Sequence, residues 1–65
     1  MGDVALYVEV YASLGSRAKA KAEEKYPDHI ATKAWIQYNY YGLAIKQGSL
    51  VKYKVRMRKK KRSET

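Results

Sequence analysis

Residues 51–58 alternate strictly between apolar and cationic side chains, and no other stretch constrains the fold as tightly. Because successive side chains of a β-strand point to opposite faces of a sheet, this pattern predicts a strand with one buried face and one charged face. The apolar face carries Val51, Tyr53, Val55 and Met57, and the charged face carries Lys52, Lys54, Arg56 and Arg58. The rest of the chain must therefore supply an apolar layer that packs against the first of these faces.

The chain has 65 residues, which is enough for one small hydrophobic core. It contains no cysteine, which excludes disulfides, cysteine-ligated zinc and a thiol nucleophile. Its single histidine, His29, gives no basis for a histidine metal site. We therefore expect one domain without a metal or a cofactor, stabilised by packing, by self-association or by a partner.

Residues 4–11 form a second predicted strand. Their alternation also has a period of two, and the large aliphatic side chains all fall on one side. That side carries Val4, Leu6, Val8 and Val10, and the other side carries Ala5, Tyr7, Glu9 and Tyr11. This strand, like the last one, can bury one face and expose the other.

Residues 13–25 are rich in Ala, Lys, Arg and Glu, which favour a helix. Ser13 or Ser16 is the predicted N-cap, and Pro27 ends the helix. An apolar stripe at every fourth position consists of Leu14, Ala18, Ala22 and Tyr26. The small alanines in this stripe would let the helix lie close against a sheet.

Residues 29–47 fit two structures. As a strand, they place Ile30, Thr32, Ala34, Ile36, Tyr38 and Tyr40 on one face, and Lys33, Trp35, Gln37 and Asn39 on the other. As a helix that runs from Asp28 to Gly48, they leave four large apolar side chains off the apolar stripe. The helix would also hold Gly42 in its interior, which costs about 1 kcal/mol. We therefore favour the strand, followed by a hairpin turn at residues 46–49 in which Gly48 supplies a positive φ.

Together these segments predict an α+β fold in which one helix packs on a small, mostly antiparallel sheet. The element order is β-α-β-β, with a further strand if the third element divides around Gly42. Residues 1–58 form the predicted domain, and residues 59–65, which contain no apolar side chain, form a flexible basic tail.

The net charge of +8 is concentrated near the C-terminal end. Residues 1–50 hold six Lys or Arg and five Asp or Glu, a balance of +1, whereas residues 51–65 hold eight and one, a balance of +7.

The cations of the last strand repeat every ~6.7 Å and form a row about 20 Å long, comparable to the path of several phosphates. Contact with about four to eight phosphates predicts a log–log salt slope of roughly −4 to −7. The competing interpretation is a solvated face that protects an edge strand from aggregation.

Seven tyrosines and one tryptophan are the second functional signal. In the strand interpretation Trp35 shares a face with Lys33, where its ring could stack on an exposed base. The competing interpretation is that Trp35 completes the core or a dimer contact. The predicted nucleic-acid-binding residues are Lys33, Trp35, Lys52, Lys54, Arg56, Arg58, Lys59, Lys60, Lys61 and Arg62.

Catalytic chemistry has few candidates in this sequence. Glu23 and Glu24 are neighbours on the predicted helix and point about 100° apart, so they do not form a carboxylate pair. His29 follows a predicted turn, and no glycine-rich phosphate loop is present. We therefore expect no catalytic residues and no enzymatic activity.

The sequence thus predicts a small basic protein that binds DNA or RNA through the phosphate backbone with little sequence readout. One alternative is an interaction module that docks on an acidic protein, with exposed Tyr and Trp side chains as its hot spot. Another is a helix-turn-helix-like DNA-binding protein, which requires residues 29–47 to be helical. A small core with exposed aromatic side chains is also compatible with a homodimer. No segment is predicted to span a membrane, and a cytoplasmic, nucleoid or ribosome-associated location is expected.

Overall fold

The computed structural model describes residues 5–60, which form one helix and four strands in the order β-α-β-β-β. The elements are β1 (Leu6–Ala12), α1 (Gly15–Lys25), β2 (His29–Ile36), β3 (Lys46–Gln47) and β4 (Leu50–Lys59). This arrangement confirms the predicted α+β fold. Residues 29–36 are a strand, so the helix on which the helix-turn-helix alternative depends is not formed there.

The sheet has β4 at its centre, with β1 on one side and β2 on the other. Both outer strands run antiparallel to β4, so they are parallel to each other, and α1 is the crossover between them. β3 pairs with the beginning of β4 across the two residues Gly48 and Ser49. The positive φ of Gly48, 62°, confirms the predicted role of this glycine in the hairpin turn.

The core lies between α1 and one face of the sheet, and the strand register explains why it forms there. The buried residues of β1 stand opposite the buried residues of β4, for example Val8 opposite Val55. Ala18 and Ala22 of α1 are fully buried against this apolar layer. The buried core consists of Val8, Val10, Ala12, Ala18, Ala22, Tyr53, Val55 and Met57. The alternation predicted for 51–58 and the close approach of the alanines are therefore confirmed.

The start of α1 differs from the prediction. Leu14, and not Ser13 or Ser16, is the N-cap, and no side chain makes a capping hydrogen bond. Leu14 is therefore outside the apolar stripe of the helix, and its side chain is largely exposed. At the other end the helix stops at Lys25, just before Pro27, as predicted.

A β-bulge in β2 corrects the predicted alternation of residues 30–36. Ala31 pairs with Met57 but Lys33 pairs with Arg56, so Thr32 is an extra residue with no partner in the register. The Thr32 hydroxyl donates a hydrogen bond to the Arg56 carbonyl (3.1 Å). As a consequence, Ala31 takes the core-facing position, and Ile30 lies on the opposite face, across from Arg58.

Residues 37–45 correct the predicted length of the same strand. β2 ends at Ile36, and the chain continues into a hairpin closed by a single bridge between Tyr38 and Ala44. Tyr38 and Tyr40, which the sequence placed on the apolar face of a strand, are instead exposed in this hairpin.

β4 extends through Lys59, and the N–H of Lys60 donates to the carbonyl of Asp28 (2.9 Å). Lys59 and Lys60, the first two residues of the predicted basic tail, therefore belong to the described part of the chain. Lys61 and Arg62 lie outside it. Within residues 5–60, no helix is both long enough and apolar enough to cross a bilayer.

Candidate nucleic-acid interface

The sheet has one face covered by α1 and one face that no described element covers. The charged positions of β4 all lie on this uncovered face, because they alternate with the buried ones. They form the cationic row, which consists of Lys52, Lys54, Arg56 and Arg58. Lys33 of β2 pairs with Arg56 and adds a fifth cation beside the row. The structure thus places five of the predicted binding cations together on one surface.

The cationic row lies on the central strand of the sheet. Side chains of α1 instead form hydrogen bonds with the backbone of the two outer strands. The Lys21 ammonium donates to the Tyr11 carbonyl of β1, and the Glu23 carboxylate accepts from the Ala31 N–H of β2. Edge protection therefore does not explain the charges of β4, since β4 has a partner strand on each side.

Glu9 is the carboxylate that the strand register places on the uncovered face. It stands opposite Lys54, yet its carboxylate accepts a hydrogen bond from the ammonium of the diagonal neighbour Lys52 (3.0 Å). This hydrogen bond, reinforced by the opposite charges, raises the pKa of Lys52 above its ordinary value. The charge of Lys52 is thus partly balanced within the protein, whereas no described carboxylate pairs with Lys33, Lys54 or Arg56.

Tyr7 and Trp35 form a central aromatic pair on the same face. They lie on β1 and β2, two strands that are about 10 Å apart across β4. Their side chains lean over the central strand, so that the ring centroids are 6.3 Å apart and the ring planes are at 78°. The Lys54 ammonium is 5.4 Å from the Tyr7 ring, and the Lys33 ammonium is 5.9 Å from the Trp35 ring. Each ring therefore has a cation at its side, at a distance typical of cation–π contacts.

The remaining predicted binding residues are distributed differently. Lys59 pairs with His29, so it belongs to the alternate positions of β4 and not to the cationic row. The His29 ring is hydrogen-bonded to the Asp28 carboxylate (2.9 Å), and this hydrogen bond lowers the pKa of Asp28. Lys60 is exposed directly after the strand. Lys61 and Arg62 lie outside the described residues.

The hairpin between β2 and β3 carries an aromatic cluster that the sequence analysis did not identify. We call it the tyrosine tip; it consists of Tyr38, Tyr40, Tyr41 and Leu43, all of them exposed. The turn is built on Asn39, whose side-chain oxygen accepts from the N–H groups of Tyr41 (2.9 Å) and Leu43 (3.0 Å). Gly42 follows with a φ of 78°, and its N–H donates to the Asn39 carbonyl. The spacing of Asn39 and Gly42 around two residues is the sequence signal that identifies this turn.

The uncovered face combines cationic side chains with aromatic rings, and this combination suits a polyanion that also carries flat apolar groups. Within residues 5–60 no cluster of three potential metal ligands occurs. No protein-family model matches the chain, and no curated protein or solved structure matches it either.

Proposed function

We propose that this protein binds nucleic acid along the phosphate backbone with little sequence readout, and that it acts as a binding protein rather than an enzyme. The cationic row and Lys33 supply the contacts to phosphates. The observation that carries the proposal is the position of these cations on the central strand of a sheet face that no described element covers.

Electrostatics supports a role for these cations outside folding. Neighbouring cations on one face of β4 are ~6.7 Å apart, and two such charges repel by about 0.6 kcal/mol in water. Lys33 and Arg56 stand directly opposite each other, and like charges in that position destabilise a sheet. The mutual repulsion of these cations opposes folding in the free protein, and a bound polyanion removes it.

The row also matches the geometry of a phosphate backbone. From Lys52 to Arg58 it extends about 20 Å, and the phosphates of one strand in a duplex are spaced about 3.4 Å along the helix axis. Five cations on such a path release a corresponding number of condensed counterions, so binding should weaken steeply with salt.

The test compares two triple variants that remove the same charge from different surfaces. Lys33→Gln/Lys54→Gln/Arg56→Gln removes three cations from the uncovered face. Arg17→Gln/Lys19→Gln/Lys25→Gln removes three from α1 and is the matched control. Fluorescence anisotropy with labelled DNA and RNA, between 50 and 300 mM salt, gives the affinity and the salt slope of each.

We expect the face variant to lose at least tenfold in affinity and to flatten the salt slope by about 2 to 3. Equal losses in the two triple variants would show that only net charge matters. No binding of any nucleic acid at 50 mM salt would sink the proposal and direct attention to an acidic protein partner.

A further inference from the structure

The tyrosine tip presents apolar surface that the fold does not use. Tyr40 is 96% exposed and Tyr41 is 80% exposed, and their rings contact each other at 5.4 Å in an edge-to-face arrangement. Tyr38 and Leu43 beside them are 61% and 64% exposed. Since Tyr40 and Tyr41 bury little of their surface, the hydrophobic effect gives these two side chains little part in stabilising the domain.

The backbone under these rings is nevertheless well ordered by hydrogen bonds. The Asn39 side chain accepts two of them, and the N–H of Asn39 donates to the Leu43 carbonyl (2.8 Å). Gly, Asn, Asp and Ser usually occupy such turns, so the two central tyrosines are not required by the turn. A fixed turn that carries clustered exposed aromatic side chains is typical of an interaction site.

Charge indicates what kind of partner the tip takes. Residues 29–60, which include β2, the hairpin and β4, contain eight Lys or Arg and no Asp or Glu. Each described strand of this segment carries Lys or Arg and no acidic residue. A partner that contacts the tip therefore also approaches a positively charged surface. An anionic partner with flat apolar groups satisfies both the charge and the rings.

The central aromatic pair repeats the same combination on the uncovered face. Tyr7 is about half exposed, and Lys54 and Lys33 lie within 6 Å of the Tyr7 and Trp35 rings, respectively. A nucleotide offers one phosphate and one base, so a cation beside an aromatic ring can contact both parts of it. Trp35 and Tyr40 are five residues apart, so their Cα atoms are at most about 18 Å from each other.

We propose that the nucleic acid bound by this protein is single-stranded and that its bases stack on the central aromatic pair and on the tyrosine tip. The inference rests on the proposed function, because the cationic row holds the backbone of the same strand. In a duplex the flat faces of the bases are stacked on one another, so neither aromatic position could reach them. A single strand exposes those faces, and each stacked base contributes binding free energy without sequence preference.

The experiment uses the full chain and three ligands of equal length: a single-stranded oligonucleotide, its duplex, and an abasic strand that keeps the phosphates but lacks the bases. Anisotropy gives the affinities. Fluorescence of Trp35, the only tryptophan, reports directly on stacking at the central pair. We expect the single strand to bind at least tenfold more tightly than the abasic strand and the duplex, and to quench the tryptophan emission.

The variant that tests the tip is Tyr40→Ser/Tyr41→Ser, which keeps residues compatible with a turn. We expect it to lose about tenfold in affinity for the single strand and nothing for the abasic strand. Leu14→Ser is the control, because it also removes an exposed apolar side chain, at the start of α1. Circular dichroism should show the fold unchanged in both variants.

Two results would overturn this inference and leave the proposed function intact. One is equal, salt-dependent binding of the single, duplex and abasic strands, without quenching. The other is a tip variant that binds the single strand normally but changes a dimeric protein into a monomer by sedimentation, since the tip would then be a contact between two copies of the chain. Absence of all binding at low salt would overturn both proposals together.

Discussion

Glu9 has a position on the uncovered face that opposes the proposed function, because its carboxylate neutralises part of the cationic row. Its hydrogen bond to Lys52 joins two partly exposed side chains, and such a pair contributes little to stability. The raised pKa of Lys52 keeps this residue charged through the ordinary lysine range, so any contribution of its shift to stability is present at neutral pH and is lost as the pH rises through that raised pKa.

Glu9→Gln removes the negative charge and keeps the size of the side chain. We expect nucleic acid to bind about two- to fivefold more tightly at low salt, because Lys52 becomes available for a phosphate, and the salt slope to steepen by about 1. Salt-dependent anisotropy measures both quantities. Glu24→Gln, which removes the same charge from α1, serves as the control. Equal effects of the two substitutions would mean that Lys52 makes no specific contact with the ligand.

At the scale of secondary-structure elements, α1 shows how small residues determine the distance between a helix and a sheet. Ala18 and Ala22 are fully buried against β1, β2 and β4, so their Cβ atoms are in close contact with the sheet. Ala20 lies on the same helix but is exposed. The same substitution at these positions therefore has different consequences.

Ala22→Leu forces three additional carbon atoms into a packed layer and should lower the free energy of unfolding by about 1–3 kcal/mol. Ala20→Leu places them in solvent and should change it by less than about 0.5 kcal/mol. Urea denaturation, followed by circular dichroism, measures both. Comparable stability of the two variants would show that α1 can move away from the sheet at little cost.

The elements differ in how far the sequence determines them. Strict alternation identified β4 and its charged face, since one of its two faces is almost wholly apolar. Alternation failed in β2, because the extra residue at Thr32 is set by pairing with a strand twenty residues away. Tyr38 and Tyr40 have strand propensity, but the hydrogen bonds of Asn39 and the positive φ of Gly42 turn the chain there.

The candidate site likewise has one part that could be predicted from the sequence and one part that could not. The cationic row follows from local spacing along β4 and could be predicted. The contact between Tyr7 and Trp35 depends on β4 being inserted between β1 and β2, and local spacing carries no information about strand order. Leu14, the N-cap of α1, makes no side-chain capping hydrogen bond, so the helix start likewise depends more on packing against the sheet than on local propensity.

The whole molecule is elongated, with extents of 42 × 23 × 13 Å, and β4 runs along much of its length. The beginning of β4 lies beside the hairpin that carries the tyrosine tip, and its end leads to Lys60 and the basic residues that follow. The proposed contacts therefore form one path: aromatic rings at one end, the cationic row and central aromatic pair along the sheet, and further cations at the other end. A linear ligand fits this order better than a compact one.

This arrangement predicts how salt dependence divides between the sheet face and the C-terminal residues. Each phosphate contact on a single strand contributes about −0.7 to the log–log slope. Truncation after Lys60 removes Lys61 and Arg62 and should flatten the slope by at most about 1.4, whereas Lys33→Gln/Lys54→Gln/Arg56→Gln should flatten it by about 2. Because the two groups of cations share no residue and are separate in the sequence, the combined variant should show the sum of both changes. A truncation that abolishes most of the slope would instead mean that the C-terminal residues hold the ligand and that the sheet face contributes little.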